Sequence, residues 1–207
     1  MANGGRRATA ALVAAAAIMM GGRVSAQGEP IAATAEREAT IVLHVTNYAD
    51  LSREVLEGAM ARVAMIYERI GVRIAWVDDM GSVRRHADGQ LHLTVLLLSR
   101  EMAEKQISAA GIKEGVLGLA HPEGGRASIF CDRIAAAPGA PKYFPVPLGD
   151  VIAHEVGHLM LGANSHSRTG IMRAYTNVHA LHLQSFDKAQ ERIIRSTLLE
   201  PAAGDSQ

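Results

Sequence analysis

The sequence predicts an α/β (α+β) fold: a twisted mixed sheet with packed helices and an antiparallel edge strand. Three observations carry this expectation. Stretches of strand character alternate with segments of helical apolar spacing through the first two thirds of the chain. One strand, Leu91 to Ser99, is nearly unbroken in its apolar run, as in a sheet covered on both faces. Helices follow the first strand and then the whole sheet, which leaves the last strand free to run antiparallel. The 207 residues, 48% hydrophobic and 20% charged, suit one domain with a substantial core.

Residues 1–26 read as a signal peptide. Arg6 and Arg7 form a basic start, and Ala8 to Met20 is an apolar run of 13 residues, short for a membrane span. Val24-Ser25-Ala26 is a small-residue cleavage site. The mature protein is therefore expected to be exported, periplasmic or extracellular, without a stable membrane anchor. Three of the 21 basic residues and none of the 21 acids lie in that segment, so the remainder carries a formal charge of −3. That balance does not point to nucleic acid, which usually needs a basic surface. The single cysteine, Cys131, rules out an internal disulfide and reads as a small buried apolar residue. A monomer is expected.

Residues 27–40 form a leading tail, and 41–207 a single domain. Ile41 to Tyr48 is the first strand. Leu51 to Ile70 follows as a helix, with Val55, Ala59, Val63, Ile66, Tyr67 and Ile70 at helical spacing and Gly71 as its stop. Val72 to Val77 is the second strand, residues 78–89 a polar connection, and Leu91 to Ser99 the third strand. Glu101 to Ala109 is a short helix. Val116 to His121, a turn at Gly124-Gly125, and Arg126 to Ile134 read as two further strands, or a strand and a bulge. Four prolines make 135–147 a loop. Leu148 to Leu161 is a helix ended by Gly162. Phe186 to Leu199 is a last amphipathic helix with Ala189, Ile193, Ile194 and Leu198 inward.

The chemistry sits in His154-Glu155-Val156-Gly157-His158. Residues four apart share a helix face, so two imidazoles can address one ion. Glu155 lies about 100° further round, where its carboxylate can take a proton from water. Histidine pairs of this kind with an intervening glutamate point to Zn²⁺. A catalytic zinc needs a third protein ligand. Gly162 can break the helix, and Ala163-Asn164-Ser165 then returns the chain to present His166, followed by Gly170-Ile171-Met172.

The stretch HEVGHLMLGANSHSRTGIM resembles the metzincin clan of zinc metallopeptidases. That resemblance implies His154, His158 and His166 as ligands, Glu155 as general base, and Met172 as the methionine beneath the metal. It implies a small C-terminal subdomain below the zinc cleft and an edge strand that binds peptide backbone, here Arg126, Ala127, Ser128, Ile129 and Phe130. Tyr175 stands where some members place an oxyanion or pocket tyrosine, one residue later than usual. The spacing departs from the common HExxHxxGxxH: glycine comes one residue late and the third histidine two. In this the stretch resembles small bacterial metzincin-like proteins of unassigned activity.

Three functions follow as expectations. The first is an exported metalloendopeptidase with a peptide or protein substrate. The second is a non-catalytic zinc- or peptide-binding protein of the same fold, which has no need of Glu155. The third is an amide hydrolase acting on cell-wall peptides. Glu191 is a rival third ligand of the kind gluzincins use. His44, His86, His92, His121, His179 and His182 are expected to be satisfied or solvated, although His179 and His182 form a second HxxH.

Overall fold

The computed structural model describes residues 38–77, 90–137, 144–174 and 182–199. Its elements are β1 (Thr40–Asn47), α1 (Arg53–Glu68), β2 (Arg73–Val77), β3 (Leu91–Leu98), α2 (Arg100–Ala110), β4 (Gly118–His121), β5 (Arg126–Phe130), α3 (Cys131–Ala135), α4 (Pro145–Leu161) and α5 (Lys188–Leu199). They build a five-stranded mixed sheet in the order β2-β1-β3-β5-β4. Strands β2, β1, β3 and β5 run parallel, and β4 pairs antiparallel with β5.

Period-two alternation divides the sheet faces. Ile41, Leu43 and Val45 of β1, Leu93, Val95 and Leu97 of β3, and Ala127 and Ile129 of β5 point into the main core with α1 and α4. Leu96, Leu98 and Phe130 lie on the other face, where α2 covers them through Ala103 and Ile107. This two-sided cover explains the apolar run of β3. Full burial of one such aliphatic side chain stabilises the fold by about 1.5–3 kcal/mol.

Caps define the helices. Ser52 accepts the Val55 amide proton at the start of α1, and Ser99 does the same for Met102 at α2. Helices α1 and α4 approach closely. A Cβ on Gly149 would lie 2.7 Å from the Ala59 carbonyl oxygen, and one on Gly58 would lie 2.9 Å from Pro145. Across this contact Arg62 donates to Asp150 at 2.7 Å, with both side chains buried, and Arg62 also donates to the His182 carbonyl at 2.7 Å. Burial pushes the Asp150 carboxyl up, and Arg62 opposes that shift.

Several expectations need correction. Arg126 to Ile134 is one strand and then the short helix α3, because Cys131 and Ile134 bury a helical face. β5 is interior, paired on both sides, so Arg126, Ala127, Ser128, Ile129 and Phe130 cannot accept an added strand; the antiparallel edge is β4. α4 begins three residues before Leu148, at Pro145. First-turn amides have no helical partner, so Pro145 and Pro147 cost that turn no hydrogen bond. On α5 the inward line is Gln190, Ile194 and Leu198, whereas Ala189 and Ile193 are exposed. Ile171, Met172, Phe186, Ile194 and Leu198 join the main core, so the described C-terminal residues share it. Among the described residues no helix is long and apolar enough to cross a membrane.

Candidate metal centre

α4 is buried along most of its length and carries His154, Glu155 and His158 on consecutive turns. It ends at Gly162, where φ is 87° and the amide donates back to the His158 carbonyl at 2.9 Å. The chain then turns and brings His166 under the same face. The Nε2 atom of His158 lies 3.1 Å from that of His154 and 3.1 Å from that of His166. His154, His158 and His166 form a group able to hold a metal ion, with their ligand atoms all within 4.8 Å of one another.

The protons on these rings are set by their other nitrogens. His154 Nδ1 lies 2.8 Å from the Ile171 carbonyl, which can only accept, so Nδ1 donates. His158 Nδ1 donates to the Gly162 carbonyl at 3.1 Å and to Ser165 Oγ at 3.0 Å, while Ser165 Oγ itself donates to Gly162 at 2.7 Å. Burial lowers both rings, His154 to about 4, so both are neutral near pH 7. A neutral ring that spends its proton at Nδ1 presents a bare lone pair at Nε2. The His154 and His158 lone pairs therefore face each other, which is unfavourable unless a cation lies between them. Nitrogens at 2.0–2.1 Å from a tetrahedral ion are separated by roughly 3.3 Å, close to the spacing here. The donor set fits a metal ion of the kind that imidazole favours.

Glu155 is buried, and burial pushes its carboxyl up to about 7, against a backbone hydrogen bond from Ala120 that favours the ionised form. Gly118 makes room for it: a Cβ there would lie 2.6 Å from Glu155 Cγ and 2.8 Å from Oε1. The edge strand is therefore built around this carboxylate. Phe130 donates to the Leu117 carbonyl at 2.9 Å, and alternation in the antiparallel ladder turns the backbone of Gly118 and Ala120 outward. That outer edge borders a cleft of about 450 Å³ lined by residues 113–120, Pro122, His154, Glu155, His158, Ala163, His166 and Ala174.

Met172 lies beneath α4 and is fully buried. A Cβ on Gly157 would lie 2.5 Å from its sulfur and 3.0 Å from Phe186. The turn at Gly170-Ile171-Met172 thus reaches the helix only because position 157 is glycine. The same turn supplies the Ile171 carbonyl to His154 and accepts the Ser167 amide proton at Met172 O, 2.8 Å away.

The other candidates separate from this cluster. Tyr175, His86 and His179 lie outside the described residues. Glu191 pairs with Lys188 on α5 at 2.8 Å and is not in the metal-capable group. His44 and His92 are stacked and bonded to each other at 2.8 Å, both buried on the central strands. His121 meets Gln106 at 3.3 Å, and His182 meets Gln184 at 2.8 Å. Cys131 is buried, and burial holds its thiol up at about 12, which makes it inert at neutral pH.

Sequence reading overlooked Gly118, Ala120, Ser165 and Gln190. A glycine inside a strand signals close approach of another group, and that signal was available at Gly118. The roles of Ala120 and Ser165 follow from tertiary contacts alone. Gln190 stands four residues before Ile194, a spacing that would have suggested burial. Compared with known proteins, the chain matches no family model, and no curated protein is significantly similar to it.

Proposed function

We propose that this chain is an exported zinc metallopeptidase of the metzincin type. The observation that carries the reading is the convergence of three imidazole nitrogens beside a buried carboxyl, on a cleft bordered by the edge strand β4. His154, His158 and His166 would hold the metal, and Zn²⁺ suits three neutral imidazoles with a fourth position left open. Zinc bound there supplies Lewis acidity, polarising a carbonyl and lowering the pKa of water. Glu155 takes the proton of the attacking water and passes it to the leaving amine. Burial raises this carboxyl in the metal-free site, the direction that suits a group which takes a proton and gives it back. Gly118 N–H and C=O, with Ala120 C=O, offer backbone partners to an extended peptide along β4. The metzincin assignment is supported by the glycine stop, the third histidine and Met172 below the helix; export is supported by residues 1–26 of the sequence.

Changing Glu155→Ala tests the mechanism. Zinc binding is expected to persist while hydrolysis of a mixed peptide library falls by about 10²-fold or more, the range for losing a general base. Undiminished hydrolysis by the variant would contradict the reading.

A further inference from the structure

We infer that Gln190 on α5 is the positioning residue for the third metal ligand: it holds the turn that presents His166. The inference rests on the metal reading above. The three ligands are held in different ways. His154 and His158 stand on a regular helix, and each has its Nδ1 fixed by a carbonyl. His166 stands on an irregular turn and is exposed, and among the described residues no partner holds its Nδ1. Among the described residues, the restraint on its aim comes through the backbone that carries it.

Gln190 supplies that restraint. Its Nε2 donates to the Ser165 carbonyl at 2.9 Å, one residue before the ligand. Its Oε1 accepts from the Asp187 amide at 3.1 Å. The two bonds set the orientation of the amide, because turning it over would oppose donor to donor and acceptor to acceptor. Asp187 in turn caps α5, accepting from the amides of Ala189 and Gln190 at 2.9 Å each. Ser165 is also the residue whose hydroxyl accepts from His158. One residue thus ties the second ligand to the turn by its side chain, and the turn to α5 by its backbone.

The placement of Gln190 argues for a specific role. It shares the buried face of α5 with Ile194 and Leu198 and is only 7% exposed. A buried amide is costly unless its hydrogen bonds are made, and here both bonds lead to the site turn or the cap beside it. Tying α5 to the domain could be done by an apolar residue at that position; fixing Ser165 could not.

The test is zinc affinity of the purified full chain, by competition with a chromophoric chelator, at a temperature where circular dichroism shows each variant folded. Gln190→Ala is expected to weaken zinc binding by about tenfold or more, the usual effect of losing a group that orients a ligand. Gln190→Glu keeps the acceptor for Asp187 but sets a carboxylate against the Ser165 carbonyl, and is expected to weaken zinc at least as much with α5 intact. Leu198→Ala, which loosens α5 away from the turn, is expected to lower the unfolding temperature and leave affinity within about twofold of wild type. Wild-type affinity in both Gln190 variants would overturn the inference, as would an equal loss in Leu198→Ala. A wild-type chain that takes up no zinc would overturn the metal reading itself, and the inference with it.

Discussion

Along α4, His154 and His158 are set by the helix period, and burial keeps their rings neutral. Past Gly162 the regular hydrogen bonds stop. His166 reaches the same point through a turn tied to α5, to Met172 and to the segment before α5. The helix ligands are placed by local structure. The turn ligand is placed by residues that come later in the chain, Met172, Ser185 and Gln190. Function that sits on a regular element can be read from spacing, whereas function that sits on a turn needs the fold around it.

Two changes probe the helix side of this comparison, and the larger acts through the edge strand. Gly118→Ala would drive a methyl into the space of the Glu155 carboxylate while leaving the three imidazoles in place. Peptide turnover is expected to fall by about 10²-fold, the cost of displacing a reacting group by an ångström, with zinc affinity unchanged. Steady-state kinetics beside chelator competition separate these outcomes, and a parallel loss of zinc would break the assignment of Gly118 to the carboxylate.

The smaller effect concerns acid stability of the metal-free protein. The unfolded chain protonates histidine near pH 6.5, whereas folded His154 stays neutral to about 4. Between those values the unfolded state binds more protons, so this contribution to stability is complete above 6.5 and lost as pH falls towards 4. Glu155 acts oppositely. Its folded carboxyl protonates near 7, above the unfolded value of 4.5, so its contribution grows as pH falls through that window. The two largely offset each other in the wild type. Glu155→Gln removes the offset, and its metal-free form is expected to lose about 2 kcal/mol more stability than wild type between pH 7 and 4.5. Urea unfolding in the presence of chelator measures this. Matching pH profiles would show that the burial of Glu155 does not carry that shift.

The strand and helix order was legible because apolar period is a local property. Leu91 to Leu98, α1 and the HExxH helix all stand within a few residues of their expected bounds. Strand position in the sheet was not legible. β5 carries the apolar alternation of any half-buried strand, and only its pairing with both β3 and β4 shows it to be interior. The inner face of α5 was misread because Ile193 is apolar and Gln190 polar, yet the hydrogen bond to Ser165 buries the glutamine. At the site, the three histidines and Glu155 were visible as residue types at a spacing. The Ile171 carbonyl that sets the His154 tautomer, and the glycine that admits the carboxylate, come from elements distant in sequence, whereas His158 is set by Gly162 at the end of its own helix.

One metal ion held by all three imidazoles is the proposal on which the others depend. Its most direct test is the zinc content of the purified wild-type chain beside His166→Ala, measured by elemental analysis after dialysis. About one zinc per wild-type chain is expected, three ligands making one site, with a sharp fall in the variant. Full zinc retention by His166→Ala, or no zinc in the wild type even after reconstitution, would contradict it.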